Sequence, residues 1–115
     1  MGQRLCFALD LVSDRALIEE YVRIHEPGSV WPTIIDHIRA KGAESMEIWH
    51  RGDRLVMIIE AADDYPRGGL SDGSRAESER WEAWMGTFQR ALPDAAPDEK
   101  WSPMRRIFCL ADHVG

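Results

Sequence analysis

The chain has few of the features that mark extracellular or membrane proteins. It contains only two cysteines, Cys6 and Cys109, which lie far apart in its 115 residues and form no disulfide framework. No apolar run reaches membrane-spanning length, and the N-terminus lacks the long apolar core of a signal peptide. We therefore expect a cytoplasmic protein with no membrane partner, in which both cysteines are buried thiols.

Positive charge and metal-ligand patterns are also scarce. The net charge is −6, and no Lys/Arg cluster is long enough to follow a phosphate backbone, so nucleic acid is not an expected partner. The histidines show no zinc-type spacing, and no Gly-rich loop joins a strand to a helix. We expect no metal and no nucleotide cofactor.

The remaining composition is that of an ordinary globular domain spanning residues 1–115, with 44% hydrophobic residues and enough length for a core. Hydrophobic periodicity predicts strands at 3–11, 45–49, 54–61 and 105–110, and helices at 14–26, 31–41 and 77–92. Ser13 and Ser29 are the expected helix caps, and Arg51-Gly52-Asp53 is the expected hairpin turn. Residues 63–75 and 93–103 are predicted to be loops, the first of them mobile.

This order of elements predicts an α+β fold. With the first two helices counted as one broken helix, it is the βαββαβ order of a ferredoxin-like domain. Such a domain has a four-stranded antiparallel sheet with its helices on one face. A second copy of the chain usually covers the other face at this size, so we expect a homodimer.

The stretch at 21–32, Tyr-Val-Arg-Ile-His-Glu-Pro-Gly-Ser-Val-Trp-Pro, joins the first two helices. Tyr21 and His25 are four residues apart, which places a phenol and an imidazole on one helix face. The same face carries Leu17, Ile18 and Ile24, so both groups should turn toward the interior. Position alone leaves open whether His25 is functional or a core histidine satisfied by one hydrogen bond.

Tryptophan is abundant, with five residues in the chain. Trp31, Trp81 and Trp84 fall near plausible pocket walls, where flat rings pack against the C–H faces of sugars; simple core packing is the alternative. A histidine beside a phenol in such a pocket suits general acid–base chemistry on a neutral, hydroxyl-rich substrate. The same pocket is compatible with binding alone.

These residues resemble a known family. The motifs that carry the resemblance are Tyr21-x-x-x-His25, Pro27, Trp31-Pro32, Gly42-Ala43, Ile48, the 51–59 hairpin and Arg80-Trp81. Together they are similar to the L-rhamnose mutarotase family over nearly the whole chain. Two further blocks, at 46–49 (Met-Glu-Ile-Trp) and 99–104 (Glu-Lys-Trp-x-Pro-Met), resemble the L-fucose mutarotase branch. The resemblance implies a dimeric α/β barrel of ferredoxin-like subunits.

The resemblance also implies roles for particular residues. His25 falls on the family's proton donor, and Tyr21 and Trp81 fall on sugar-contacting positions. Met46 stands where the family has a tyrosine, and Glu82 stands where the rhamnose enzymes have a second tryptophan. The implied site is therefore catalytic at His25 and Tyr21 and substrate-binding at Tyr21, Met46, Trp81 and Glu82. No cofactor is implied.

The resulting functional prediction is a mutarotase that interconverts the anomers of a 6-deoxy-L-hexose. L-Fucose is the predicted sugar, and L-rhamnose is the alternative. Glu47, Glu60 and Glu82 are candidate acid–base partners for the histidine, although strand alternation puts Glu47 opposite Met46. One rival function is a haem-handling or cofactor-independent oxygenase of the same barrel class, with His25 as ligand or base. The other is a non-enzymatic module that binds a small ligand or a partner.

Overall fold

The structure, a computed structural model, describes residues 2–68 and 72–113. The strands are β1 (Gly2–Leu11), β2 (Ala43–Arg51), β3 (Arg54–Ala62), β4 (Gln89–Arg90) and β5 (Ser102–Pro103). The helices are α1 (Arg15–Ile24), α2 (Pro32–Ala40) and α3 (Asp72–Gly86), and a short 3-10 helix covers Leu110–Asp112.

The strands form one antiparallel sheet in the order β2-β3-β1-β4, with β5 also paired to β1. Its helix-covered face carries the alternating leucines of β1, and Leu11 and Leu55 pack in one core cluster with Tyr21, Trp81 and other side chains of the helical layer. The predicted α+β class, with helices on one face of an antiparallel sheet, is confirmed.

The prediction of the fourth strand at 105–110 is wrong. Its place beside β1 is shared by β4, which pairs with Asp10 and Leu11, and β5, which pairs with Phe7 and Ala8. Residues 104–109 form no strand, and Ile107 and Phe108 are 84% and 62% exposed. The chain follows the edge of β1 only as far as Met104, whose N–H donates to the Cys6 carbonyl at 2.8 Å, and the apolar run beyond it does not continue the ladder.

Both predicted helix caps are corrected. Asp14, not Ser13, caps α1, because its Oδ1 accepts a hydrogen bond from the Leu17 N–H at 3.0 Å. The Ser13 hydroxyl donates instead to Asp53 at 2.7 Å. Before α2, Trp31 occupies the cap position without a side-chain bond, so Ser29 does not cap that helix.

The third helix lies about five residues earlier than predicted. It includes residues 72–75 of the predicted mobile loop, while 69–71 of that loop lie outside the described residues. It ends at Gly86, a poor helix former, and the Thr87 hydroxyl then donates to the Trp84 carbonyl at 2.7 Å. Gln89, which was predicted to be helical, therefore belongs to β4.

The two ends of β2 explain which side chains reach the interior. The predicted hairpin turn is present, with Gly52 at a φ of 59°, a conformation that favours glycine. A bulge lies between Ala43 and Ser45, and regular alternation follows it. Met46 consequently faces the helices.

The opposite face of the sheet carries apolar and aromatic side chains. Trp49 lies there and is 63% exposed, and its indole N–H donates to Glu47 at 3.0 Å. Cys6 and Cys109 are both free and only half-buried, so the prediction of buried thiols is wrong.

Within the described ranges, no helix combines the length and apolar character needed to cross a membrane.

Candidate active site

A cavity of about 320 Å³ lies between the helical layer and strands β2 and β3. This volume is within the range of small-molecule sites. Most of its lining is aliphatic or methionine, and the remaining side chains are Tyr21, His25, Gln89, Trp81 and Trp101. Such a lining suits a small molecule with apolar faces and a limited number of polar groups.

His25 lies on the cavity wall where α1 ends. Its ring Nδ1 is 2.7 Å from the backbone carbonyl oxygen of Tyr21. Because a carbonyl oxygen can only accept, Nδ1 carries the hydrogen, and the neutral ring keeps a lone pair on Nε2. Burial lowers the pKa of His25 below its ordinary value of 6.5, with the Tyr21 hydrogen bond acting in the opposite direction. The ring is therefore neutral at pH 7 and able to accept a proton at Nε2.

Tyr21 lies one helical turn before His25, and the two ring centroids are 4.4 Å apart. Its side chain is 3% exposed, and its hydroxyl oxygen accepts a hydrogen bond from Gln89 Nε2 at 3.0 Å. Burial raises the pKa of Tyr21 to about 12, although the Gln89 hydrogen bond acts in the opposite direction. The phenol therefore stays protonated at neutral pH and can donate a hydrogen bond.

Three tryptophans form an aromatic cluster around α3. Trp81 lines the cavity and makes an edge contact with His25, with ring centroids 6.0 Å apart. Trp31 and Trp84 stack on each other at 5.8 Å and both contact Trp81 edge-on. Neither of these two lines the cavity, so they support the pocket wall rather than form it.

Met46 and Glu82, the two positions that differ from the family pattern, lie in different places relative to the cavity. Met46 lines the cavity from β2. Glu82 does not line it; it follows Trp81 on α3, and one residue turns a helix by about 100°. Its carboxylate is exposed and pairs with Lys100 at 2.9 Å.

The other candidate carboxylates are also outside the cavity. Glu47 lies on the opposite face of the sheet, and Glu60 pairs with Arg4 at 2.6 Å on that face. Within the described part of the chain, no Asp or Glu lines the cavity, and no cluster of three or more His, Cys, Asp and Glu could hold a metal ion.

Among the polar and aromatic lining residues, the sequence reasoning missed two as site residues, Gln89 and Trp101. Gln89 was assigned to a helix, although the Gly86-Thr87 pair gave a signal for an earlier helix end. Trp101 lies in the segment between β4 and β5, next to the short strand. Its sequence position gave no indication that it would pack beside the core.

The chain is similar to known proteins in both sequence and fold. A family model described as L-rhamnose mutarotase matches residues 4–110. The chain is 43% identical over 114 residues to the L-fucose mutarotase of Xanthomonas campestris pv. campestris, covering 97% of this chain and 91% of that protein. The crystal structure of an L-rhamnose mutarotase from Formosa agariphila superposes with a TM-score of 0.65, covering 93% of this chain and 97% of that one. Its 16% identity makes this a likeness of fold.

Proposed function

Because this chain belongs to the L-rhamnose mutarotase family, we propose that its activity, the interconversion of sugar anomers, is directed at L-fucose. The observation that carries the chemistry is the neutral His25 ring, whose Nδ1–H is held by the Tyr21 carbonyl. That contact leaves Nε2 as a proton acceptor on the wall of a cavity of suitable size.

In this mechanism His25 starts the reaction as a base. Its Nε2 takes the proton of the anomeric hydroxyl, the electron pair of that O–H bond forms the aldehyde C=O, and the bond from C1 to the ring oxygen breaks. The Tyr21 hydroxyl gives its proton to the ring oxygen and regains one from the His25 imidazolium; the centroids of the two rings are 4.4 Å apart. Rotation about C1–C2 and the reverse steps then close the ring on its other face. The sequence of steps conserves protons and uses no cofactor.

Although His25 starts as a base in this scheme, it also acts as the proton donor that the family resemblance implies at its position. After the first transfer His25 is an imidazolium, and it is then the donor that returns a proton through Tyr21. Because the pKa of Tyr21 is about 12, a stable tyrosinate is unfavourable at neutral pH. A relay that returns the phenol to its neutral form is therefore favoured.

The choice of sugar rests on Met46 and on the L-fucose mutarotase similarity. A thioether packs against C–H and methyl groups and is a poor hydrogen-bond partner. A sugar that needs a donor on that wall would leave a desolvated hydroxyl unpaired, which is unfavourable. L-Fucose and L-rhamnose differ in the configuration of ring hydroxyls, so this wall can discriminate between them.

We also propose that the protein is a cytoplasmic homodimer that buries the sheet face opposite the helices. The exposed Trp49 on that face supports a covered surface, and Ile107 and Phe108 are further exposed apolar side chains in the chain's last segment. Two free cysteines, Cys6 and Cys109, support a reducing compartment.

Saturation-transfer NMR of anomer exchange tests the proposal, with L-fucose, L-rhamnose and D-galactose compared at equal enzyme and sugar concentrations. We expect the largest acceleration over buffer with L-fucose, and a poor response from D-galactose, whose ring pattern is the mirror image. Equal acceleration of L-fucose and L-rhamnose would refute the choice of sugar.

A further inference from the structure

Gln89 is a polar side chain in the cavity that the mechanism above does not use. It lies on β4, three residues after the end of α3, and its backbone pairs with Leu11 of β1. Its amide Nε2 donates to the Tyr21 hydroxyl oxygen at 3.0 Å. Its Oε1 is buried and has no hydrogen-bond partner among the described residues.

A buried amide oxygen without a partner is unfavourable, because it has lost its bond to water and gained none. A sugar hydroxyl can donate to this Oε1 while Nε2 keeps its bond to Tyr21, provided that a small shift of the side chain opens the buried oxygen to the cavity that Gln89 lines. The chemistry of this position therefore matches a ring hydroxyl of a bound sugar.

The same amide also determines what Tyr21 can do. Since Gln89 donates to the hydroxyl oxygen, the phenol proton points to another acceptor. With a pKa of about 12 the phenol keeps that proton at neutral pH, so it is available for donation. Gln89 thus orients the Tyr21 hydroxyl as a donor.

We propose that Gln89 is a sugar-binding and positioning residue, which hydrogen-bonds one ring hydroxyl of the substrate while it holds the Tyr21 hydroxyl as a donor. This inference rests on the proposed mutarotase function and extends it. It assigns sugar discrimination to two walls of the cavity. One is formed by Met46 on β2, and the other by Gln89 on β4, which pairs with β1.

The test compares wild type with Gln89→Met, which keeps an unbranched side chain of similar length and removes both amide groups. Anomer exchange is measured by saturation-transfer NMR for L-fucose and its 2-, 3- and 4-deoxy analogues, with kcat and KM determined separately. We expect kcat/KM for L-fucose to fall about ten- to a hundredfold in the variant. With one deoxy analogue, the one that lacks the hydroxyl bound by Gln89, variant and wild type should differ much less.

Two results would overturn the inference. One is exchange of L-fucose by Gln89→Met at the wild-type rate. The other is an equal loss with all three analogues, because a residue that only supports Tyr21 or the fold would not single out one hydroxyl. Gln3→Met is the matched control, since Gln3 donates to the Ala62 carbonyl at 3.0 Å outside the cavity, and it should leave exchange unchanged.

Gln89→Glu covers the case in which the methionine variant does not fold. It retains acceptor oxygens for the sugar hydroxyl, so within this variant, as in wild type, the same deoxy analogue should be exchanged most slowly of the three, and three equal rates would count against the inference. Circular dichroism and a Trp fluorescence titration with L-fucose report folding and binding independently of turnover. The wild-type measurement separates the two levels: no acceleration in wild type rejects the proposed function, whereas normal wild-type exchange with an unaffected Gln89→Met rejects only the role of Gln89.

Discussion

Replacing His25 with asparagine should abolish most of the activity while retaining the local hydrogen bond. The amide nitrogen of an asparagine lies close to the position of imidazole Nδ1, so it can still donate to the Tyr21 carbonyl, which accepts at 2.7 Å in the wild type. What the substitution removes is Nε2, the atom assigned to take the anomeric proton. We expect anomer exchange of L-fucose to fall about 10²–10⁴-fold, the usual contribution of a general acid–base group.

The cost in stability can be worked out separately. The imidazole contacts the rings of Tyr21 at 4.4 Å and Trp81 at 6.0 Å, and each such aromatic contact contributes about 0.5–1.5 kcal/mol. Loss of both lowers the free energy of unfolding of His25→Asn by about 1–3 kcal/mol. His25→Ala also loses the hydrogen bond to the carbonyl, which costs about 1 kcal/mol more. The two variants should therefore share one rate and differ in stability.

Saturation-transfer NMR gives the exchange rates, and urea denaturation followed by Trp fluorescence gives the stabilities. His50→Ala is the control, because His50 is exposed at the hairpin and bonds the Gly52 carbonyl at 2.6 Å. It should exchange L-fucose like the wild type. A folded His25→Asn protein with wild-type exchange would refute the role of Nε2. If the exchange rates of His25→Asn and His25→Ala instead fall in proportion to their losses of stability, His25 is a core histidine.

Four further predictions follow from single features of the structure. Because burial lowers the pKa of His25 and the base must be neutral, the exchange rate should rise with pH through a midpoint below 6.5 and then level off; a midpoint above 6.5 contradicts the assignment. Met46→Tyr should raise the rate with L-rhamnose relative to L-fucose, and an unchanged ratio in parallel NMR assays argues against that wall. Trp49→Lys should convert a dimer into a folded monomer in sedimentation velocity at micromolar concentration, and a monomeric wild type rules out the proposed interface. Asp10→Asn should lower the free energy of unfolding in urea by about 1–3 kcal/mol, because Asp10 is buried against Arg54; no change would mean that this pair contributes nothing.

The order of elements was predictable because its signals are local. Alternating leucines identify β1, and the Lys41-Gly42 stop ends α2, where Gly42 has a φ of 107°. The fourth strand was not predictable in the same way. The apolar run that includes Ile107 and Phe108 resembles a strand, but strand formation also depends on pairing with a distant segment, and that information is non-local.

The candidate site also combines contacts that local sequence signals predict with contacts that they do not. Tyr21 and His25 lie on one turn of one helix, so their spacing was enough to predict that they meet. Gln89 reaches Tyr21 across 68 positions of sequence, through a helix end and a two-residue strand. Glu82 was inferred from the resemblance, because it stands where the rhamnose enzymes have a second tryptophan, but adjacent helix positions point in different directions.

The hydrogen bond between His25 and the Tyr21 carbonyl has a consequence for how this enzyme can change over time. Its acceptor is a backbone oxygen, which persists whatever side chain replaces Tyr21, as long as the helix ends in the same way. The tautomer of the base is therefore insulated from most point mutations. The walls around it are built from side chains on separate elements, such as Met46 on β2 and Gln89 on β4, each of which can be exchanged alone. Under the proposed mechanism, a lineage with this architecture can acquire a different sugar preference by single substitutions without having to rebuild its proton-transfer chemistry.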